Sequence, residues 1–330
     1  MEMRPLGRTG VKVSSLCLGC MMFGGKTTPQ DSYAIIDRGL DAGINFLDTA
    51  NVYSIGKSEE VTGEALKRNG KRNSTVLATK VHGVMGPGEN ENGNSRRHII
   101  EQCEQSLRRL QTDWIDLYQI HRPQSDIPID ETLRAMDDLI RSGKVRYIGA
   151  STFGAWQLVE SFWVSKELGL NRFICEQPPY HILDRRIERE LVPMAQTYGM
   201  AIIPWSPLAG GMLGGILQKK DKGRTAGKGA DERLARIRPQ IEAWENFCKA
   251  LGEHPADVAL AWTLHHPAVT APIIGPRTME QLIGSVRAVE IKLGDEQLKA
   301  LDRIFPGPKG ATPEGTSDWN KQIAPEAYAW

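Results

Sequence analysis

Five residues combine a polar or titratable side chain with a place at the end of a short apolar run. They are Asp48 after Ile44-Asn45-Phe46-Leu47, Lys80 after Val76-Leu77-Ala78-Thr79, His121 after Leu117-Tyr118-Gln119-Ile120, Ser151 after Tyr147-Ile148-Gly149-Ala150, and Gln177 after Phe173-Ile174-Cys175-Glu176. A lone His or Lys at such a place is usually solvated; five together form a set. Tyr53, five residues past Asp48 in the loop leaving the same run, completes a proton relay. A phenol has a reference pKa of about 10 and becomes a useful general acid near neutral pH only if a neighbouring cation stabilises the phenolate. Lys80 could supply that cation. Asp48 would hold the ammonium in place and protonated, and His121 could orient a substrate oxygen.

These residues cooperate only if the runs that carry them end at one place. Short apolar runs alternate with longer amphipathic ones along the chain, which predicts an α/β fold of parallel strands joined by helices. The strand candidates are Leu16–Gly19, Asn45–Asp48, Val76–Lys80, Ile115–Ile120, Val145–Ser151, Phe173–Gln177, Ala201–Trp205 and Thr270–Ile274. Eight strands close a (β/α)8 TIM barrel, whose strands' carboxyl ends share one mouth. Arg96 to Leu110 shows the helical pattern, with Ile99, Ile100, Cys103, Leu107 and Leu110 spaced by three and four. Arg4–Leu6 and Val11–Val13, flanking Gly7-Arg8-Thr9-Gly10, suggest a β-hairpin closing the barrel bottom. Gly83–Ser95, Leu208–Asp231 and Pro306–Trp330 break the rhythm and are candidate walls and lids; the last contains Trp319, Tyr328 and Trp330. The expected organisation is one domain over 1–330, with the barrel over about 14–304 and a C-terminal tail over 305–330.

The chain has 330 residues, 40% hydrophobic and 25% charged, with a formal net charge of +1. Nothing in that balance calls for nucleic acid or an anionic membrane. No stretch approaches the roughly 20 apolar residues of a membrane span, and Met1–Pro5 opens without an apolar leader core, so a cytoplasmic location is expected. Five cysteines, Cys17, Cys20, Cys103, Cys175 and Cys248, are too few and odd in number for a disulfide framework and read as reduced thiols. No metal is expected: Cys17 and Cys20 lack a second pair, and His265-His266 lacks carboxylate or further His neighbours. Gly210-Gly211-Met212-Leu213-Gly214-Gly215 does not open a helix after the first strand, so it is no dinucleotide fingerprint. Trp156, Trp163 and Trp262 fall on helical patterns and are expected to pack against the barrel.

Asp48-Thr49-Ala50-Asn51-Val52-Tyr53 resembles the DTAxxY motif of aldo-keto reductases, and Ala78-Thr79-Lys80 and Gln119-Ile120-His121 look like that family's lysine and histidine strands. The resemblance runs from about Arg4 to Ile304 and is nearest the aryl-alcohol dehydrogenase and channel-beta-subunit-like branch. It implies a catalytic tetrad of Asp48, Tyr53, Lys80 and His121, with Tyr53 donating a proton to a carbonyl oxygen as hydride arrives from nicotinamide. It implies further that NADPH is held by Cys20, Met21, Asp48, Ser151, Thr152, Gln177, Trp205, Ser206, Pro207, Leu208, Gly210, Gly275, Arg277 and Gln281. Ser151 and Gln177 would meet the carboxamide, Trp205 the nicotinamide face, Ser206–Gly211 the pyrophosphate, and Arg277 the 2′-phosphate, whose dianion suits a guanidinium fork.

Three positions depart from the family pattern. Thr152 stands where Asn is frequent, Ile216 where many relatives carry a pyrophosphate lysine (Lys219, Lys220 and Arg224 are the candidate substitutes), and Gly284-Ser285 where an adenine-gripping Glu-Asn pair is expected. Two other functions fit parts of the sequence. A barrel lysine can form a Schiff base, but it must be neutral and Asp48 would keep Lys80 charged. Some family members act as regulatory subunits of membrane channels that sense NADPH. The substrate pocket is expected near Met22, Phe23, Val52, Tyr53, His82, Arg122, Tyr180 and the tail, whose apolar and aromatic weight favours a mid-sized aldehyde, ketone or sugar-like ring. The expected partner is a small carbonyl or alcohol, and the default state is a monomer, with a homo-oligomer left open.

Overall fold

All eight apolar runs become strands of one parallel sheet. We describe them in a computed structural model, covering residues 1–218 and 228–308. A two-stranded hairpin, β1 (Met3–Pro5) and β2 (Lys12–Ser14), precedes the sheet. The sheet strands are β3 (Cys17–Gly19), β4 (Phe46–Asp48), β5 (Val76–Val81), β6 (Ile115–Ile120), β7 (Val145–Ser151), β8 (Cys175–Gln177), β9 (Ala201–Ile202) and β10 (Ile273–Ile274). Their spatial order is β10-β3-β4-β5-β6-β7-β8-β9. The ring closes where Thr270 N donates to Ile202 O (2.8 Å) and Ile273 N to Pro204 O (2.8 Å), which completes a (β/α)8 barrel. The last two strands are shorter than expected. Pro204 and Pro272 bring no N–H to the ladder and cut the runs Ala201–Trp205 and Thr270–Ile274.

Helices α1 (Pro29–Asp41), α2 (Lys57–Asn69), α3 (Arg96–Leu110), α4 (Ile129–Arg141), α5 (Ala155–Leu168) and α6 (Leu191–Tyr198) cross back between successive strands. Two helices, α7 (Lys228–Leu251) and α8 (Pro255–His265), fill the last crossover, and α9 (Met279–Arg287) and α10 (Asp295–Ile304) follow β10. In α3, Ser95 caps the first turn by accepting from His98 N, and Gln111 ends the helix in a left-handed conformation. Between them Ile99, Cys103, Leu107 and Leu110 are buried against the barrel, each large apolar side chain contributing on the order of 2 kcal/mol.

The barrel interior is packed, not hollow. Phe46, Ala78, Leu117, Cys175, Ala201 and Ala271 fill its lower layer together with Leu6 and Val13 from the hairpin. Gly7, at the hairpin turn, has φ +59°, and a Cβ there would lie 2.5 Å from Ile174 O, so only glycine lets the plug seat this deeply. All five cysteines are buried and free.

Two expectations are corrected. Trp262 is buried, but Trp156 and Trp163 on α5 are each 67% exposed. Seven residues apart, they share a face, and Leu158, Ser161, Phe162 and Ser165 occupy the opposite, barrel-facing one. Leu208–Asp231 is not wholly irregular either, because α7 already begins at Lys228. Gly83–Ser95 is irregular as expected, whereas Lys219, Lys220, Arg224 and most of the tail, including Trp319, Tyr328 and Trp330, lie outside the described residues.

Candidate active site

Lys80 sits at the centre of the mouth with no solvent exposure. Its ammonium has three N–H donors and three acceptors around it: Asp48 Oδ1 at 2.5 Å, Thr49 O at 2.8 Å and Tyr53 Oη at 3.3 Å. Burial pulls its pKa down, but Asp48 and Tyr53 more than offset this and the net shift is upward, so the lysine is a cation. The parallel register aligns β4 with β5 (Asp48 with Ala78) and β5 with β6 (Lys80 with Gln119), which brings these side chains together inside the barrel.

Asp48 is held from its other oxygen. Gln119 Nε2 and Gln177 Nε2 both donate to Asp48 Oδ2 at 3.0 Å, and Gln177 Nε2 also reaches Gln119 Oε1 at 3.1 Å. Gln119 belongs to the histidine strand and is absent from the expected site residues. Its spacing from His121 fits inward-facing alternation along β6, the one sequence signal that could have found it. Gln177 thus has a structural bond besides the expected one, and its Oε1 accepts from no described residue.

His121 follows β6, and its ring stands edge-on to Tyr53 with centroids 5.7 Å apart. Burial, reinforced by the positive charges of Lys80 and Arg122, drives its pKa down to about 2. It is therefore a neutral imidazole at physiological pH, able to donate one N–H without charge. Tyr53 accepts from Lys80 and donates to no described residue.

The other expected residues divide into groups. Ser151 is buried and donates to Gln177 O (2.9 Å), and Thr152 holds φ +64°. Trp205 is half-buried, and its buried indole nitrogen has no partner among the described residues. Ser206, Pro207, Leu208 and Gly210 form a turn in which Ser206, Ala209 and Gly210 all take positive φ. Gly275 is exposed, Arg277 is half-buried, and Gln281 Oε1 accepts from Arg277 N at 2.8 Å at the start of α9. Cys20 is buried beside Asp48, its backbone N bonded to Asp48 O, while Met21 is exposed.

Ile216 is buried in a second core that includes Trp244, so that position packs rather than reaching outward. Phe23 and Tyr180 are fully buried and correct the expected pocket lining. Phe23 lies in the main core, and Tyr180 donates to Glu188 Oε1 (2.6 Å) while packing on Trp262 and His266.

Two features escaped the sequence reading. Glu176, on β8, is fully buried, and desolvation pushes its carboxyl up to about 8 although Oε1 accepts from Phe153 N at 3.1 Å; Oε2 has no partner among the described residues. Backbone strain also gathers here. Of the non-glycine residues with positive φ, Ser54, Ile55, His82, Thr152, Ser206 and Ala209 all follow carboxyl ends of strands, and only Gln111 caps a helix.

Comparison with known proteins fits this geometry. Residues 15–305 match the model of the aldo/keto reductase family, and the chain belongs to that family. Over its whole length and that of the relative, it is 44% identical to "Uncharacterized oxidoreductase YrpG" of Bacillus subtilis (strain 168). It is 35% identical to "Versiconal hemiacetal acetate reductase" of Aspergillus parasiticus, covering 92% of this chain and 97% of the relative. It is also 34% identical to "Probable voltage-gated potassium channel subunit beta" of Oryza sativa subsp. japonica, covering 88% and 92%. Among the described residues no helix is long and apolar enough to cross a membrane.

Proposed function

We propose that this chain is an NADPH-dependent carbonyl reductase in which Tyr53 moves the proton. The observation that carries the reading is the filled ammonium of Lys80. With all three of its donors used, one on Tyr53 Oη, the tyrosine hydroxyl has its own proton left to give. A charged, fully coordinated lysine is also unsuited to a Schiff base.

The groups at the mouth fit a nicotinamide cofactor. Among the described residues Gln177 Oε1 has no donor and the Trp205 indole nitrogen no acceptor; the first could accept from a carboxamide, with Ser151 beside it, and the indole would form the adjoining wall. Arg277 has no ion-pair partner among the described residues and suits a 2′-phosphate. Cys20, Met21, Thr152, Ser206, Pro207, Leu208, Gly210, Gly275 and Gln281 complete the proposed contacts. When bound, NADPH supplies the hydride. The chain's own residues do the rest: neutral His121 donates to the substrate oxygen and fixes its direction, Tyr53 protonates that oxygen, and Lys80 stabilises the phenolate left behind. Asp48, pinned by Gln119 and Gln177, keeps Lys80 in place. We place the protein in the cytoplasm, as a single domain, with a small carbonyl or alcohol as its partner.

The test mixes purified protein with NADPH and a panel of aromatic aldehydes, diketones and keto-sugars, with Tyr53→Phe alongside. Loss of at least about a thousandfold in turnover, with NADPH binding retained, is expected. Binding without turnover in either protein would favour an NADPH-sensing role; absence of NADPH binding would refute the proposal.

A further inference from the structure

Arg122 follows His121 at the mouth and is held from two directions. Its Nη1 donates to His121 O (2.8 Å) and to Thr152 Oγ1 (2.9 Å), and its backbone carbonyl accepts from Nδ2 of the buried Asn94 (2.9 Å). The guanidinium carbon lies 5.9 Å from the Trp205 ring centroid. The two Nη1 hydrogens are thereby occupied. The Nε–Nη2 edge has no acceptor, and no carboxylate pairs with the guanidinium, among the described residues. Arg122 is exposed but its Nη1 is tied by two hydrogen bonds, and Thr152 holds a left-handed backbone that β-branched residues rarely adopt while its hydroxyl meets the guanidinium.

We propose that the Nε–Nη2 edge of Arg122 is an anion subsite that selects carbonyl substrates carrying a carboxylate or phosphate group, a reading that rests on the reductase function proposed above. Two parallel N–H groups in a rigid plane match two oxygens of either anion, and a preorganised fork loses little freedom on binding. The subsite is next to His121, whose ring faces Tyr53, so one small molecule could place its carbonyl at the tyrosine and its anionic end at the arginine. The Thr152 departure then has a role: its hydroxyl aims the arginine.

The test compares charged and neutral partners of one skeleton: para-carboxybenzaldehyde against methyl para-formylbenzoate, and glycolaldehyde phosphate against glycolaldehyde. In the unaltered protein kcat/KM should favour the charged member of at least one pair by about tenfold, and the preference should shrink as ionic strength rises. The pair that responds distinguishes carboxylate from phosphate. In Arg122→Gln the ratio should fall to about one, mainly through a higher KM for the charged member; Arg122→Lys should fall between, since it keeps charge without the fork. Charged-to-neutral ratios below about twofold in both pairs, or a ratio unchanged in Arg122→Gln, would overturn the subsite alone. No turnover of any of the four by a protein that reduces other members of the carbonyl panel would likewise overturn the subsite; no turnover of the whole panel would instead sink the reductase reading beneath it.

Discussion

The rings of Tyr53 and His121 meet edge to face, 5.7 Å between centroids, with the histidine held neutral by burial and by the charges of Lys80 and Arg122. A group whose pKa lies at about 2 does not titrate between pH 5 and 8. The pH profile of kcat/KM should therefore show no acid limb from this histidine. An acid limb near pH 6.5 that disappears in His121→Gln would contradict the assignment. The same shift bears on stability: the unfolded chain takes up a proton at this site below about pH 6.5 and the native protein does not, so native stability falls as the pH drops through that value.

Removing Lys80 should cost stability as well as activity. Lys80→Met leaves the Asp48 carboxylate buried with only amide donors, a change worth about 3–5 kcal/mol. Chemical denaturation should show Lys80→Met less stable than the double variant Lys80→Met/Asp48→Asn, which removes the stranded charge. Equal or greater destabilisation in the double variant would mean the pair is not coupled in this way.

Thr152→Asn should relax the backbone. Asparagine enters the left-handed region several-fold more readily than most residues, whereas β-branched threonine is an outlier there, so a gain of about 1 kcal/mol is expected. Thermal unfolding compared with the unaltered protein decides it, and a fall in the midpoint would show the Thr152 hydroxyl bond to Arg122 outweighs the strain.

Glu176 makes stability depend on pH in the opposite direction to His121. Its folded pKa is raised from 4.5 to about 8, so the native protein holds a proton there that the unfolded chain releases. Its contribution is fully present below about pH 4.5 and is lost as the pH rises through about 8. Glu176→Gln keeps an acceptor for Phe153 N and cannot ionise. Its advantage over the unaltered protein should widen between pH 5 and pH 9 in calorimetry; a constant difference would count against the shift.

The strands, the hairpin and α3 were legible because each is a local pattern of apolar spacing and turn residues. Asp48, Lys80 and His121 were legible for the same reason, as polar residues ending such runs. What escaped depends on who stands across the barrel. Gln119 on β6 and Gln177 on β8 converge on Asp48 of β4 across the intervening β5 and β7, and nothing near either glutamine announces it. Trp156 and Trp163 share a helical face, but periodicity alone does not say which face turns inward. The protonation of Glu176 follows from complete burial, which nothing in the residues flanking it in the sequence announces.

The floor laid by Leu6 and Val13 has a kinetic meaning. With the lower barrel filled to the hairpin, the described residues form a cup that opens at the carboxyl ends of the strands. Whatever reacts beside Tyr53 must depart by the path it arrived on, so a lingering product obstructs its successor, and inhibition by product should compete with substrate for the same doorway.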